Sequence, residues 1–163
     1  MTSLNPALSR ELPAATSSST PLASTLSRVS PALGRGLLAL IFVASGLGKI
    51  ASWDQTAAYM AAKNMPLVPL FLFGAIALEV LGGLSVLLGY KARLGATALL
   101  VFMIPATLIF HAFWGVEGMQ RQMEMINFMK NLSIMGGLLM VVGLGAGAYS
   151  LDARSAAKRD RGA

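Results

Sequence analysis

The chain has 163 residues, of which 12% are charged and 55% hydrophobic, with a net charge of +6. Soluble domains carry about 25% charged residues, so a water-facing globule is excluded and a membrane protein is expected. The basic residues form no contiguous patch interleaved with aromatics, which excludes a nucleic-acid partner; the charge instead suits topology and attraction to anionic lipid.

Residues 1–30 are rich in Ser and Thr, include Pro6, Pro13 and Pro21, and lack helical periodicity. They read as a disordered cytoplasmic extension, with an organellar transit peptide as the lower-ranked alternative. A bilayer core of about 30 Å needs roughly 20 helical residues at ~1.5 Å each, and four runs meet that length. They are Ala32 to Ile50, Leu67 to Gly89, Leu94 to Trp114 and Asn127 to Tyr149. The first is the shortest between its charges, Arg35 and Lys49, which can snorkel to opposite interfaces. Residues 31–152 therefore predict an all-α, four-transmembrane-helix bundle, followed by a basic tail at 153–163.

The Lys and Arg residues set the orientation. Nine of the 13 fall with the N-terminal extension, the turn holding Lys91 and Arg93, and the tail, against Lys49, Lys63, Arg121 and Lys130 on the other side. The positive-inside rule then places both termini in the cytoplasm.

The absence of cysteine excludes dithiol exchange, iron–sulfur clusters and thiolate metal sites by this chain itself, and one histidine, His111, cannot build a bis-histidine haem or a multi-histidine metal centre unless subunits share ligands. No metal site and no intrinsic cofactor are expected, and no self-contained catalytic centre is visible; a redox role needs a bound small molecule or a partner.

The polar residues on the spans remain. Lys49, His111, Asn127, Lys130 and Asn131 fall in the outer half of the bilayer, and Glu79 near its middle. A charge at the bilayer centre costs about 2.5–3.5 kcal/mol on insertion scales, so Glu79 should face the bundle interior, with Lys49 or Lys130 as its partner. Ala75, Gly82 and Gly83 flank it, and Ala44 with Gly48 gives the Lys49 helix a small-residue edge. One reading is a polar pocket of Glu79, a lysine and His111, suited to a quinone head group or a proton relay; the other is an interhelical ion pair that fixes helix packing.

Thr107, His111 and Trp114 are spaced to share one face. Pro105 leaves the Val101 carbonyl without its helical donor, which predicts a kink widening the bundle near His111. A histidine satisfied by a backbone carbonyl or water is the alternative. In the connection before the fourth span, Met119, Met123 and Ile126 form a stripe, read as the apolar face of an interfacial or partner-binding helix rather than a Cu(I) site. Gly136, Gly137, Gly143, Gly145 and Gly147 read as packing glycines within the fourth span.

The segments "GRGLLALIFVASGLGK", "ALEVLGGLSVLLGYKARLGA", "MIPATLIFHAFW" and "FMKNLSIMGGLLMVVGLGAGAYSLD" resemble the DoxX family of small four-helix membrane proteins over Pro31 to Asp152. The resemblance rests on Arg35, Gly46 to Lys49, Glu79 with Gly82 and Gly83, His111, and Lys130 with Asn131. It implies a bacterial inner-membrane protein linked to quinol chemistry or oxidative-stress complexes, with a bound quinone as candidate ligand and a redox enzyme or other membrane-complex subunit as candidate partner. Candidate ligand or proton-relay residues are Lys49, Glu79, His111, Lys130 and Asn131. Related folds include assembly or cargo factors, so a structural protein docking a partner through its Met-rich segment is the alternative. A small transporter ranks lower, since one four-helix unit shows no inverted repeat, although a homo-oligomer would supply more helices.

Overall fold

A computed structural model describes residues 20–162. Among these there is no strand. The elements in order are α1 (Pro21–Ala51), α2 (Trp53–Ala62), α3 (Val68–Ala77), a π-turn (Leu78–Gly82), α4 (Gly83–Leu88), α5 (Ala92–Phe110), a 3₁₀ turn (Phe113–Gly115), α6 (Gly118–Leu144) and α7 (Leu151–Asp160). Four helical runs are long and apolar enough to cross a membrane: α1, Val68–Leu88, Ala92–Gly115 and α6. The bundle expected from the spacing of apolar runs is thus formed.

Helix α1 begins eleven residues before the expected span, so Pro21–Ser30 is helical rather than part of a structureless extension. Pro21 starts the helix where a missing N–H costs nothing, and the Ser24 and Thr25 hydroxyls donate to its carbonyl. These local bonds turn a Ser/Thr-rich composition into a first helical turn. The rest of the expected disordered extension, residues 1–19, lies outside the described residues.

The fourth span is also shifted toward the N-terminus. Helix α6 starts at Gly118, so the Met-rich stretch is its opening turns and not a connection, and it stops at Leu144 because Gly145 and Gly147 take φ +84° and +78°. Those two glycines shape the loop into α7, whereas Gly136 and Gly143 would meet nothing within 4 Å if given a Cβ. Of the five expected packing glycines in this region, Gly137 faces Leu38 of α1 at 3.2 Å from its would-be Cβ, and the loop glycines Gly147 and Gly145 face Pro31 of α1 at 2.9 Å and Arg93 of α5 at 3.4 Å.

The core is narrow. Ala39, Phe42, Val86, Ala96, Leu99, Met103 and Leu138 form its main cluster, and Met60, Leu72 and Ile76 a second one under α2. Leucines cover much of the outside, as expected where the outer solvent is lipid. Helix α5 packs against α6 and α4, while α1 packs against α4 and the π-turn. Small residues set these approaches: a Cβ on Gly46 would lie 2.7 Å from Val80, on Gly82 2.8 Å from Leu99, and on Gly83 2.8 Å from Val43.

One end of the bundle is closed by Arg35. Its guanidinium donates to the carbonyls of Leu87 (3.3 Å), Tyr149 (2.8 Å) and Ala146, joining α1 to the end of α4 and to the loop before α7. Asp152 completes the closure, accepting the backbone N–H groups of Lys91 and Ala92 at 2.8 and 3.0 Å. The start of α1 and the final helix therefore lie at the same end, as an even number of spans requires. Lys49 and His111 end their helices at the opposite end.

Candidate functional site

Glu79 is 5% exposed and sits on the π-turn that interrupts the second span. The extra residue of a π-turn widens the helix and re-aims its side chains, a feature frequent at functional sites. Gly46 on α1 leaves room for the Glu79 Cβ and Val80, so α1 lies close enough for its polar residues to reach the acid. Lys49 Nζ lies 2.8 Å from Glu79 Oε2 and 2.9 Å from Oε1, and also donates to Ser45 Oγ at 2.7 Å. The Ser45 hydroxyl in turn reaches Glu79 Oε1 at 3.3 Å. Ser45, Lys49 and Glu79 thus make a closed polar triangle in which every charged atom has a partner, the condition for a bilayer interior to hold charge. Glu79 has one lysine partner, and it is Lys49.

Lys130 is elsewhere. Its ammonium donates to Asn127 Oδ1 at 3.0 Å on the exposed side of α6, so it takes no part in the Glu79 site. The Glu79, lysine and His111 pocket expected from depth along the spans is not formed, because His111 pairs with another acid. Its Nδ1 lies 2.8 Å from Glu124 Oε2. The neutral partners expected for this histidine, a backbone carbonyl or water, are replaced by a carboxylate.

Along the same antiparallel helix pair, Asn131 Nδ2 donates to Thr107 Oγ1 at 3.1 Å. Thr107 and His111 are four residues apart on α5, and Asn131 and Glu124 seven apart on α6, so both contacts lie along one α5–α6 seam. Trp114 leaves that face to pack edge-on against Phe113 and Phe128, with ring centroids 5.2 and 6.0 Å away. Helix α5 runs through Pro105 to Phe110, and Thr107 beyond it is buried.

Helix α2 roofs this second polar group. Tyr59 stacks on Phe110 with centroids 5.5 Å apart, and its hydroxyl reaches the Phe110 carbonyl at 3.5 Å. Burial, and then the Glu124 carboxylate, push the Tyr59 phenol above its ordinary value. Neither α2 nor Glu124 was singled out in the sequence. The Met-rich composition around Glu124 hides its i, i+7 relation to Asn131, which is the signal that would have found it.

Among the described residues, no group of three or more His, Cys, Asp or Glu residues could hold a metal ion. A groove of about 360 Å³ on the outside, lined by Leu78, Leu81, Gly82, Leu94 and Ala98 with Ser85 and Lys91, runs along the π-turn away from Glu79.

The DoxX family profile matches residues 30–112, which carry Arg35, Lys49, Glu79 and His111. The chain belongs to the DoxX family. Two Escherichia coli relatives of this DoxX protein are similar over most of their length. Inner membrane protein YphA is 34% identical over 122 residues, 75% of this chain and 87% of YphA. Inner membrane protein YqjF is 36% identical over 129 residues, 78% of this chain and 92% of YqjF. A shorter similarity, 38% over 69 residues, links 41% of the chain to 26% of a surfeit locus protein 4 homolog of Drosophila melanogaster. No solved structure matches. The DoxX chain is accordingly a multi-pass protein of the bacterial inner membrane, in contact with lipid along its four spans.

Proposed function

We propose that this chain is an accessory protein of a quinone-linked or oxidative-stress redox system, in which the Ser45–Lys49–Glu79 triangle handles protons. The observation that supports this reading is a carboxylate buried at mid-span on a π-turn, held by one ammonium and one hydroxyl. Oxidation of a quinol releases two electrons and two protons; both electrons and one proton would pass to the redox site of a partner enzyme, and Glu79 would accept the other proton from the quinol hydroxyl. Protonation removes the charge that holds Lys49, so each proton taken up loosens the α1 contact and each proton released restores it.

The test is purification from native membranes in mild detergent, with quinone quantified by mass spectrometry for the parent and for Glu79→Gln. Stoichiometric quinone on the parent and its loss from an equally folded variant supports the reading. Absence of quinone from both overturns it in favour of an assembly protein. That second reading is favoured by the exposed Met119, Met123 and Ile126 face of α6, a flexible apolar surface suited to docking a membrane partner.

A further inference from the structure

Helix α1 carries a seven-residue leucine repeat that the four-helix bundle does not use. Leu26, Leu33, Leu40 and Leu47 are 63, 63, 62 and 53% exposed, and Leu22, Val29, Gly36, Val43 and Ile50 form the companion series three residues after, or four before, each of them. A strict seven-residue repeat over four heptads is the pattern of a coiled-coil seam. The residues α1 buries in the bundle, Arg35, Ala39, Phe42 and Gly46, lie off the leucine row, and of the companion series Val43 is shared with the bundle through its packing against Gly83.

Lipid alone does not account for the repeat, because the helix is longer than the membrane. At about 1.5 Å per residue, its 31 residues span about 46 Å against a hydrocarbon core of about 30 Å. Counting back from Lys49, the ten residues Pro21–Ser30 project beyond the core. The series continues there unbroken through Leu22, Leu26 and Val29, where water rather than lipid would meet it, so burying these side chains is favourable.

The seam also has a fitted recess. A groove of about 310 Å³ on α1 is lined by Leu33, Gly36, Leu37 and Leu40, the i, i+3, i+4, i+7 set that forms one hole of a knobs-into-holes interface, with Val43 and Leu87 beside it. Gly36 makes the recess, and a Cβ there would meet nothing within 4 Å, so its openness serves no contact inside the chain. A glycine at this level lets two helix backbones approach closely. A strip about 46 Å long and one helix diameter of about 11 Å wide gives roughly 500 Å² per copy, or about 1,000 Å² in all, at the threshold of a specific interface. Arg28 and Arg35 stand off the leucine row, so no like charges meet across it.

We propose that a second copy of this chain covers the face, as a parallel α1–α1 dimer with Gly36 against Gly36 and the leucine row continuing outside the bilayer. Two copies inserted in the same sense can pair only in parallel along these helices. This inference stands independently of the quinone reading.

The absence of native cysteine makes the test direct. Single cysteines placed in turn from Leu26 to Leu40 of the full chain in native membranes, then oxidised, should cross-link strongly at 26, 29, 33, 36 and 40 and weakly at 27, 28, 34 and 35. Leu26→Glu, on the exposed end and away from every bundle contact, should abolish cross-linking through Leu33→Cys, and co-expression with a Leu26→Lys partner should restore it. A scan with no seven-residue period, or one peaking at 28 and 35, overturns the proposal, as does undiminished cross-linking of the Leu26→Glu chain.

Discussion

Lys49 and Glu79 come from different spans, yet the ammonium nitrogen lies 2.8 and 2.9 Å from the two carboxylate oxygens. Removing one partner of a buried pair costs about 3–5 kcal/mol, because the survivor is left uncompensated. Lys49 retains a quarter of its side-chain exposure and can withdraw toward the interface, which places Lys49→Met above Glu79→Gln in cost. Unfolding in mixed detergent micelles should show both single losses, with the Lys49→Met, Glu79→Gln double variant recovering most of the stability. A double variant as stable as the parent would show that the pair is not needed for the fold.

The close approaches around the π-turn predict a steep contrast between glycines. Gly83→Ala brings a Cβ to 2.8 Å from Val43 Cγ2 and 3.3 Å from the α1 backbone nitrogen of Val43, which must shift. Overpacking of this kind costs about 1–3 kcal/mol. Gly136→Ala meets nothing, and replacing a mid-helix glycine with alanine stabilises by about 1 kcal/mol. Thermal unfolding in one detergent should therefore move in opposite directions for the two variants.

Span number and the inward-facing Glu79 were legible in the sequence, because bilayer thickness and the cost of an intramembrane charge act on local composition. The separation of His111 from Glu79 was not. It depends on Glu124, and Glu124 becomes an α5 neighbour only once α6 is known to begin at Gly118. Helix α2 escaped for a similar reason: its packing rests on Met60 and Tyr59, two side chains in a stretch too mixed to show a periodic face.

The second polar group gives a pH prediction. The Tyr59 phenol is held above its ordinary value by burial first and Glu124 second, so the fold favours the neutral phenol. Its contribution is complete below the unfolded value of about 10 and is lost as pH rises through the elevated folded one. A difference titration of phenolate absorbance between the parent and Tyr59→Phe should isolate this ionisation from Tyr90 and Tyr149. Glu124→Gln should lower it without returning it to the ordinary value, since the burial remains.

The Arg35 end is held by geometry that a lysine cannot copy. The guanidinium reaches three carbonyls on two segments, Leu87 on α4 and Ala146 and Tyr149 in the loop before α7, while Gly89 (φ +66°) brings its backbone against it. A lysine keeps the charge, but its single nitrogen cannot span acceptors arranged around a planar fork. Hydrogen bonds from a charged donor contribute about 1.5–3 kcal/mol each and do not simply add, so Arg35→Lys should cost about 3 kcal/mol and Arg35→Gln more. The loss should be local before it is global, because the loop 145–150 and α7 are attached to the bundle chiefly through Arg35 and Asp152. Hydrogen exchange on the Arg35→Lys chain should rise in residues 145–160 while the α5–α6 seam around Thr107 and Asn131 stays protected; uniform exchange across both regions would show that Arg35 holds the whole bundle rather than its end.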